Sequence, residues 1–437
     1  MIGVRRQTQI YLDGVSGRRP SIPLDPDRLE AAAQKRMRPE AFAYVAAGAG
    51  SERTVAANRA AFDRWRIVPR MLRDVEHRDT SVELFGQGLP SPFLLAPVGV
   101  LELAHPEADC AVARAARDTG TGMVFSNQAS RPMEGLSRIL ADTPHWCQLY
   151  WSRSDELVES LAGRAERCDC RALVITLDTT MLGWRTRDLE GAFLPFLHGK
   201  GIAQYTSDPV FKRLITEQPS PPSEQQPRPT LAALRTLIEL TRAYPDNFWR
   251  ALASGRARGA VQKFTEIYSR PSLTWDTLAF LRERTDLPIL LKGILHPDDA
   301  ARAVSEGMNG VIVSNHGGRQ VDGSIASLEA LPGVVEAVDG RVPVLFDSGV
   351  RGGADIFKAL ALGARAVMIG RPYVYALGIA GRAGVRDLLM NLAADFDLTM
   401  GLAGCRSVAD IGRDSIVPAD SIVPASGTGP AARAIAP

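Results

Sequence analysis

The 437 residues suffice for one large domain or two to three smaller ones, and 45% hydrophobic residues can fill a sizeable core. The 51 Lys and Arg nearly cancel the 49 Asp and Glu, leaving a net charge of +2. That balance argues against a nucleic-acid surface or an anionic membrane as the main partner. The best apolar stretch, Ala359–Ala380, is broken by Arg365 and Arg371, so no bilayer span is expected. The first residues, Met1–Gly14, carry Arg5 and Arg6 without an apolar run behind them and do not read as a secretory signal. Cys110, Cys147, Cys168, Cys170 and Cys405 are odd in number and scattered, which predicts reduced thiols in a cytoplasmic protein. Cys168-Asp169-Cys170 lacks a matching second pair, and no His/Glu pair has helical metal spacing, so no metal site is expected.

In chain order, Asp25–Arg64 reads as two or three helices, with Pro26 or Asp27 near the first start and Pro39 near another. Eight short apolar runs then read as strands: Phe93–Ala96, Gly122–Phe125, Trp146–Leu149, Ala172–Thr176, Ile289–Leu291, Gly310–Val313, Val344–Phe346 and Ala366–Ile369. Most are continuous rather than alternating, as parallel strands buried on both faces are. Between them lie Ala- and Leu-rich helical segments such as Ala108–Thr119, Asp155–Arg167, Pro297–Glu306 and Gly353–Leu362. The pattern predicts an α/β chain with a closed (β/α)₈ TIM barrel; an open doubly wound sheet is the alternative. The expected organisation is an N-terminal helical segment and lead-in over 1–90, then the barrel over 91–411. After the fourth strand regularity fails across 195–271, a Pro-rich polar piece followed by the helix-like Leu231–Arg242. A connection that long is usually functional or disordered, and this one reads as a lid on the catalytic face. Residues 412–437 contain the repeat Asp414–Ala419 and Asp420–Ala425 followed by small residues, and read as a disordered tail.

A barrel gathers its chemistry at the C-terminal ends of its strands. Those ends carry, in order, Pro97-Val98-Gly99; Ser126 and Asn127; Gln148 and Tyr150; Thr176, Asp178 and, further on, Arg185; Lys292; Ser314, His316 and Arg319; Asp347 and Arg351; Gly370 and Arg371. Each alone reads as a loop residue or helix cap; together on one face they read as a site. Asp347–Gly353 and Gly370-Arg371 follow strands seven and eight, where barrels commonly hold a phosphate on backbone N–H groups and helix N-termini. Two guanidinium groups, Arg185 and Arg319, suit a planar carboxylate. A near-neutral histidine suits proton abstraction, a carboxylate such as Asp178 can orient it, and a lysine at a strand end can stabilise developing negative charge. His77, His105, His145, His198 and His296 lack such surroundings.

Ser314-Asn315-His316-Gly317-Gly318-Arg319-Gln320, Asp347-Ser348-Gly349-Val350-Arg351 and Ile369-Gly370-Arg371-Pro372 resemble the FMN-dependent α-hydroxy-acid oxidase and dehydrogenase family, over about Asp27–Ile411. The resemblance implies FMN as cofactor, a small 2-hydroxy acid as substrate, and a homo-oligomer, tetramer or larger. It implies His316 as the base, paired with Asp178. Arg319 and Arg185, helped by Tyr44, would clamp the carboxylate, and Tyr150 would contact the hydroxyl. Lys292 would lie by the flavin N1/O2 edge. Pro97, Val98, Gly99, Ser126, Gln148, Thr176 and Ser314 would hold the ring and ribityl. Asp347, Arg351, Gly370 and Arg371 would hold the ribityl and phosphate end.

Within the family, Thr176–Leu189, Phe193–Leu197, Ser207–Phe211 and Gly99 look most like the lactate 2-monooxygenase branch. That implies oxidative decarboxylation of L-lactate by O2 to acetate, CO2 and water; Gly99 leaves room beside the flavin, and a long lid would retain pyruvate with peroxide. A peroxide-releasing oxidase, a dehydrogenase passing electrons to a quinone or protein, and a non-redox FMN barrel isomerase are the alternatives. Two features depart from the family. Asn127-Gln128-Ala129-Ser130-Arg131 stands where relatives often have Ser-Ser or an aromatic, which admits a larger or more polar acid than lactate. Ser348 stands where many relatives have glycine.

Overall fold

A computed structural model describes residues 2–218, 220 and 228–421. Its centre is a closed barrel of eight parallel strands, here β1 Phe93–Leu95, β2 Gly122–Phe125, β3 His145–Leu149, β4 Leu173–Thr176, β5 Ile289–Ile294, β6 Gly310–Val313, β7 Val344–Phe346 and β8 Ala366–Ile369. The expected (β/α)₈ architecture is what the chain adopts. Apart from His145, Gln148, Thr176 and Lys292, the strand residues are apolar or glycine, because both faces are covered. Leu94, Val124, Trp146, Val174, Leu290, Ile312, Leu345 and Met368, one from each strand, pack together in one cluster. Their neighbours Leu95, Phe125, Leu149, Ile175, Leu291, Val313, Phe346 and Ile369 belong to the larger core. A hairpin, Val82–Leu84 with Gln87–Leu89, adds Val82, Leu84 and Leu89 to the first cluster.

The N-terminal segment is helical over Pro26–Arg36, Pro39–Ala46 and Arg53–Asp63, with prolines in the first turns of the first two and Asp25 accepting from Arg28 N at 2.8 Å. A further helix in this segment, Ile2–Val15, packs on the long Arg371–Leu402 helix. Gly3 lies against Leu398 and Ala394 there, and its N–H donates to Asp397 at 2.8 Å.

The 195–271 insertion is largely helical among its described residues, including Pro209–Glu217, Leu231–Ala243 and Arg256–Ile267. Its first part is fastened to the barrel. Arg164, on the helix after β3, donates to Asp208 at 3.2 Å and to the Gln204 carbonyl at 2.7 Å, and all three are buried. Buried Tyr205 donates to Asn127 Oδ1 at 2.9 Å. The Pro-rich residues 219 and 221–227 lie outside the described set.

The expectation of a disordered tail from 412 is corrected. Ile416–Pro418 pairs antiparallel with Trp65–Ile67, Ile416 is buried, and Arg413 stacks 4.2 Å over the Trp65 ring. The first copy of the repeat is a strand because Trp65–Ile67 offers it an open edge. Most of the second copy, with the rest to 437, lies outside the described residues. No described helix is long and apolar enough to cross a membrane.

Candidate active site

The strand ends surround one cleft. Every strand or the loop after it reaches this cleft, with β2, β3 and β5 contributing one residue each, Gln128, Tyr150 and Lys292. Tyr44, Pro97, Val98, Gly99, Tyr150, Arg185, Lys292, His316, Arg319, Asp347, Arg351, Gly370 and Arg371 line it, as expected from the sequence. Ser126, Gln148, Thr176 and Ser314 do not; they are buried behind the wall, and half-buried Asp178 stands behind His316.

His316 Nδ1 donates to Asp178 Oδ1 at 2.7 Å, which leaves Nε2 as the free ring nitrogen. Thr179 Oγ1 donates to the same Asp178 oxygen at 2.9 Å and lies 3.2 Å from His316 Nδ1. Lys292 Nζ stands 3.2 Å from Asp347 Oδ2 and 3.7 Å from Asp178 Oδ2, and donates to Ser314 Oγ at 2.7 Å. A break in the ladder of β5 at Lys292/Ile294 makes this possible. Gly293 in that bulge has φ +106°, and a Cβ there would sit 2.8 Å from Asp178 Cβ, so only glycine lets the two strand ends approach.

Charge within the cluster follows from these contacts. Burial opposes ionisation of Asp178, but His316, Lys292 and the hydrogen bonds from His316 and Thr179 outweigh it and hold the carboxyl well below the usual carboxylate range. Burial would discharge Lys292, yet Asp178 and Asp347 keep its ammonium form favoured beyond the ordinary lysine. For His316, burial wins over Asp178, with Lys292 and Arg185 adding to it, so the ring is neutral at neutral pH. Burial, with Asp178 nearby, pushes the Tyr150 phenol up to about 12, so it is a donor.

The guanidinium groups converge from different elements. Arg319 Nη1 donates to the carbonyls of Tyr44 at 2.7 Å and Ala47 at 2.8 Å, where the Pro39–Ala46 helix ends, and its CZ lies 5.1 Å over the Tyr44 ring. Arg371 Nη2 donates to the Ala47 carbonyl at 3.0 Å and Nη1 to the Gly317 carbonyl at 2.9 Å. Arg185 Nη2 donates to Gln320 Oε1 at 3.1 Å, while Gln320 Nε2 donates to the Asp178 carbonyl at 2.7 Å. Among the described residues, Arg185, Arg319, Arg351 and Arg371 have no carboxylate within salt-bridge distance. Burial, and Arg185 beside it, pull Arg319 down to about 9, and burial with Arg371 pulls Arg351 down to about 10. Such a site is electrostatically incomplete without anions.

The Gly353–Ala361 and Arg371–Leu402 helices start beside Arg351 and Arg371; the first already donates its Gly353 N–H to the Asp395 carboxylate, while the second has no side-chain cap and is open to an anion. Around the barrel mouth, Gln148 Nε2 and Thr176 Oγ1 are buried without a partner. Those orphaned groups, the carboxylate-free arginines and the uncapped start of the Arg371–Leu402 helix fit a ring cofactor ending in a phosphate.

Sequence reasoning missed Thr179, Gln320, Phe196 and Tyr268. Thr179 and Gln320 directly follow Asp178 and Arg319, so their adjacency was the available signal. Phe196 and Tyr268 enter the wall from the two ends of the insertion, and no local pattern announces that.

Comparison with known proteins agrees with this geometry. Residues 33–418 match the family described as FMN-dependent dehydrogenase. The chain is 40% identical to the FMN-dependent alpha-hydroxy acid dehydrogenase qulF of Penicillium citrinum, over 93% of this chain and 94% of that one. It is 39% identical to an L-lactate oxidase of Lysinibacillus sphaericus, over 87% and 89%, and 36% identical to human 2-hydroxyacid oxidase 1, over 84% and 89%. Among solved structures, mandelate oxidase with (S)-4-hydroxymandelic acid is similar with a TM-score of 0.73 and 36% identity, covering 89% of this chain and 97% of that chain. The chain therefore belongs to the FMN-dependent α-hydroxy-acid oxidase and dehydrogenase family, and it oxidises a 2-hydroxy acid with FMN as its cofactor.

Proposed function

We propose that the substrate is a small L-2-hydroxy acid, that O2 is the final acceptor, and that the oxo-acid is decarboxylated before release, as in lactate 2-monooxygenase. The observation that carries the base assignment is the 2.7 Å His316–Asp178 pair, facing a cleft with two carboxylate-free guanidinium groups. Arg185 and Arg319 bind the substrate carboxylate, with Tyr44 against Arg319. Tyr150 donates to the substrate hydroxyl. His316 Nε2 takes the substrate proton, from C2 or from the hydroxyl, and Asp178 stabilises the imidazolium that forms. Arg351, Arg371 and the start of the Arg371–Leu402 helix would hold the FMN phosphate, Asp347 the ribityl, and Gln148, Thr176, Ser126, Ser314 and Pro97–Gly99 the ring and ribityl. Lys292 would place positive charge at the ring. FMN supplies the two-electron acceptor.

For lactate, the two electrons and two protons removed convert O2 to peroxide and leave pyruvate. When the two are held together, peroxide oxygen adds to C2, the C1–C2 bond breaks to release CO2, and the O–O bond breaks to give water. Lactate and O2 thus become acetate, CO2 and water. Support for retention is the wall that Phe196 and Tyr268 add to the cleft, on an insertion fastened through Tyr205 and Asp208. Assay of L-lactate under air tests this: acetate and CO2 in yield equal to lactate consumed are expected, and stoichiometric free pyruvate and peroxide overturn the decarboxylating reading.

A second reading is favoured by two observations. A Cβ on Gly99 would lie 2.8 Å from Gln128 Cβ and 2.9 Å from its carbonyl oxygen, so packing alone requires glycine there. Phe196 and Tyr268 also suit an aromatic side chain, and the similar solved structure is a mandelate oxidase. On that reading the enzyme is a plain oxidase of an aryl 2-hydroxy acid, with L-mandelate consumed faster than L-lactate and peroxide released.

A further inference from the structure

Ser348 is buried at the end of β7 with φ +84°, a backbone region that side chains other than glycine rarely occupy. Ser348 Oγ donates to Asp347 Oδ1 at 2.8 Å and accepts from Gly317 N–H at 3.0 Å. Asp347 Oδ2 is 3.2 Å from Lys292 Nζ, which donates to Ser314 Oγ at 2.7 Å, and Ser314 Oγ accepts from His316 N–H at 3.0 Å. The contacts close a circuit through the ends of β5, β6 and β7: Lys292, Asp347, Ser348, Gly317, His316, Ser314 and back to Lys292. Two hydroxyls thus hold the consecutive N–H groups of His316 and Gly317. His316 is itself strained, at φ +57°, so its loop needs holding. Among the described residues, Ser348 is the side chain that joins the Asp347 carboxylate to this loop.

We propose that Ser348 is a positioning residue. It fixes the left-handed loop that presents His316 and couples it to the Lys292–Asp347 pair, and its strained backbone is tolerated for that link. The inference rests on reading His316 as the base.

The test compares FMN-loaded wild type, Ser348→Gly and Ser348→Ala. Both variants lose the hydroxyl's bonds, but glycine also relieves the strained φ, so Ser348→Gly is expected to melt higher than Ser348→Ala. In both, kcat/KM for the best 2-hydroxy acid falls about tenfold, with kcat carrying more of the loss than KM. In both, hydrogen exchange of a peptide covering residues 314–320 quickens, a readout that needs no turnover. Water admitted to a looser loop reduces the burial that suppresses His316 protonation, so the acidic limb of kcat/KM moves to higher pH. A purely structural serine would lower activity only in step with stability and leave that limb unmoved. Wild-type kcat/KM in Ser348→Gly, or unchanged exchange at 314–320, overturns the proposal. A wild-type protein that oxidises no 2-hydroxy acid overturns the base assignment instead, and the exchange result then decides whether the latch exists.

Discussion

Asp178 and His316, 138 positions apart in the chain, share a 2.7 Å hydrogen bond because β4 and β6 end on the same face of the barrel with β5 between them. The pairing sets the tautomer: with Nδ1–H committed to Asp178, Nε2 is the basic nitrogen. Asp178→Asn is expected to retain FMN and lower kcat/KM by ~10²–10⁴, the range of a positioned general base. Because Asp178 raises the affinity of His316 for its proton, its loss also moves the acidic limb to lower pH. A pH profile of kcat/KM for both proteins checks both effects.

The wild-type pH dependence carries a sign of its own. Burial holds His316 below the ordinary histidine value of about 6.5, and the base must be neutral to act. So kcat/KM should rise through a limb below pH ~6.5 and be flat across neutrality. A histidine depressed in the folded state destabilises the fold as pH drops below its unfolded value, and Asp178, also depressed, adds its loss below about 4. Thermal melting from pH 8 downwards should therefore decline in these two windows.

Arg319 combines a stack on Tyr44 with hydrogen bonds to the carbonyls of Tyr44, Val45 and Ala47, a geometry a lysine ammonium cannot reproduce. Arg319→Lys is expected to raise KM for the acid by about 10–100-fold, corresponding to ~1.4–2.8 kcal/mol, with a smaller change in kcat. Steady-state kinetics over a range of salt separates this from loss of bulk charge.

The glycine at position 99 distinguishes packing from product control. Gly99→Ala must displace the Gln128 backbone or distort its own loop, at about 1–3 kcal/mol of stability. If packing is its reason, the ratio of acetate to free pyruvate is unchanged while the melting temperature falls. If room beside the ring is its reason, free pyruvate and peroxide increase.

Tyr205 anchors the insertion to Asn127, whose Oδ1 also accepts from the Tyr150 N–H at 3.0 Å. Tyr205→Phe leaves a buried amide oxygen with one fewer donor, costing about 1 kcal/mol. The expected outcome is greater leakage of peroxide per turnover with little change in FMN affinity, measured by peroxide detection during lactate oxidation.

The barrel was legible because its strands are buried on both faces. Gly122–Phe125, Gly310–Val313, Val344–Phe346 and Ala366–Ile369 were read with the bounds the structure shows, and the other four shifted only at their ends. His316, Asp178 and the arginines were legible because topology places all strand ends on one face. Ser348 was legible as a residue but not as a link: its partner Gly317 is 31 positions away, and its positive φ leaves no trace in composition. Ile416–Pro418 was misread because its strand exists only through pairing with Trp65–Ile67, at the far end of the barrel sequence. Likewise, Phe196 and Tyr268 lie at opposite ends of an insertion whose packing, not its sequence, brings them to one wall.

Anaerobic mixing of the FMN-loaded protein with L-2-hydroxy acids tests the central claim, that His316 removes the substrate proton. Wild type should lose its yellow colour, and His316→Gln, still yellow and still binding the acid, should bleach at least ~10²-fold more slowly. Bleaching of His316→Gln at the wild-type rate would contradict the account.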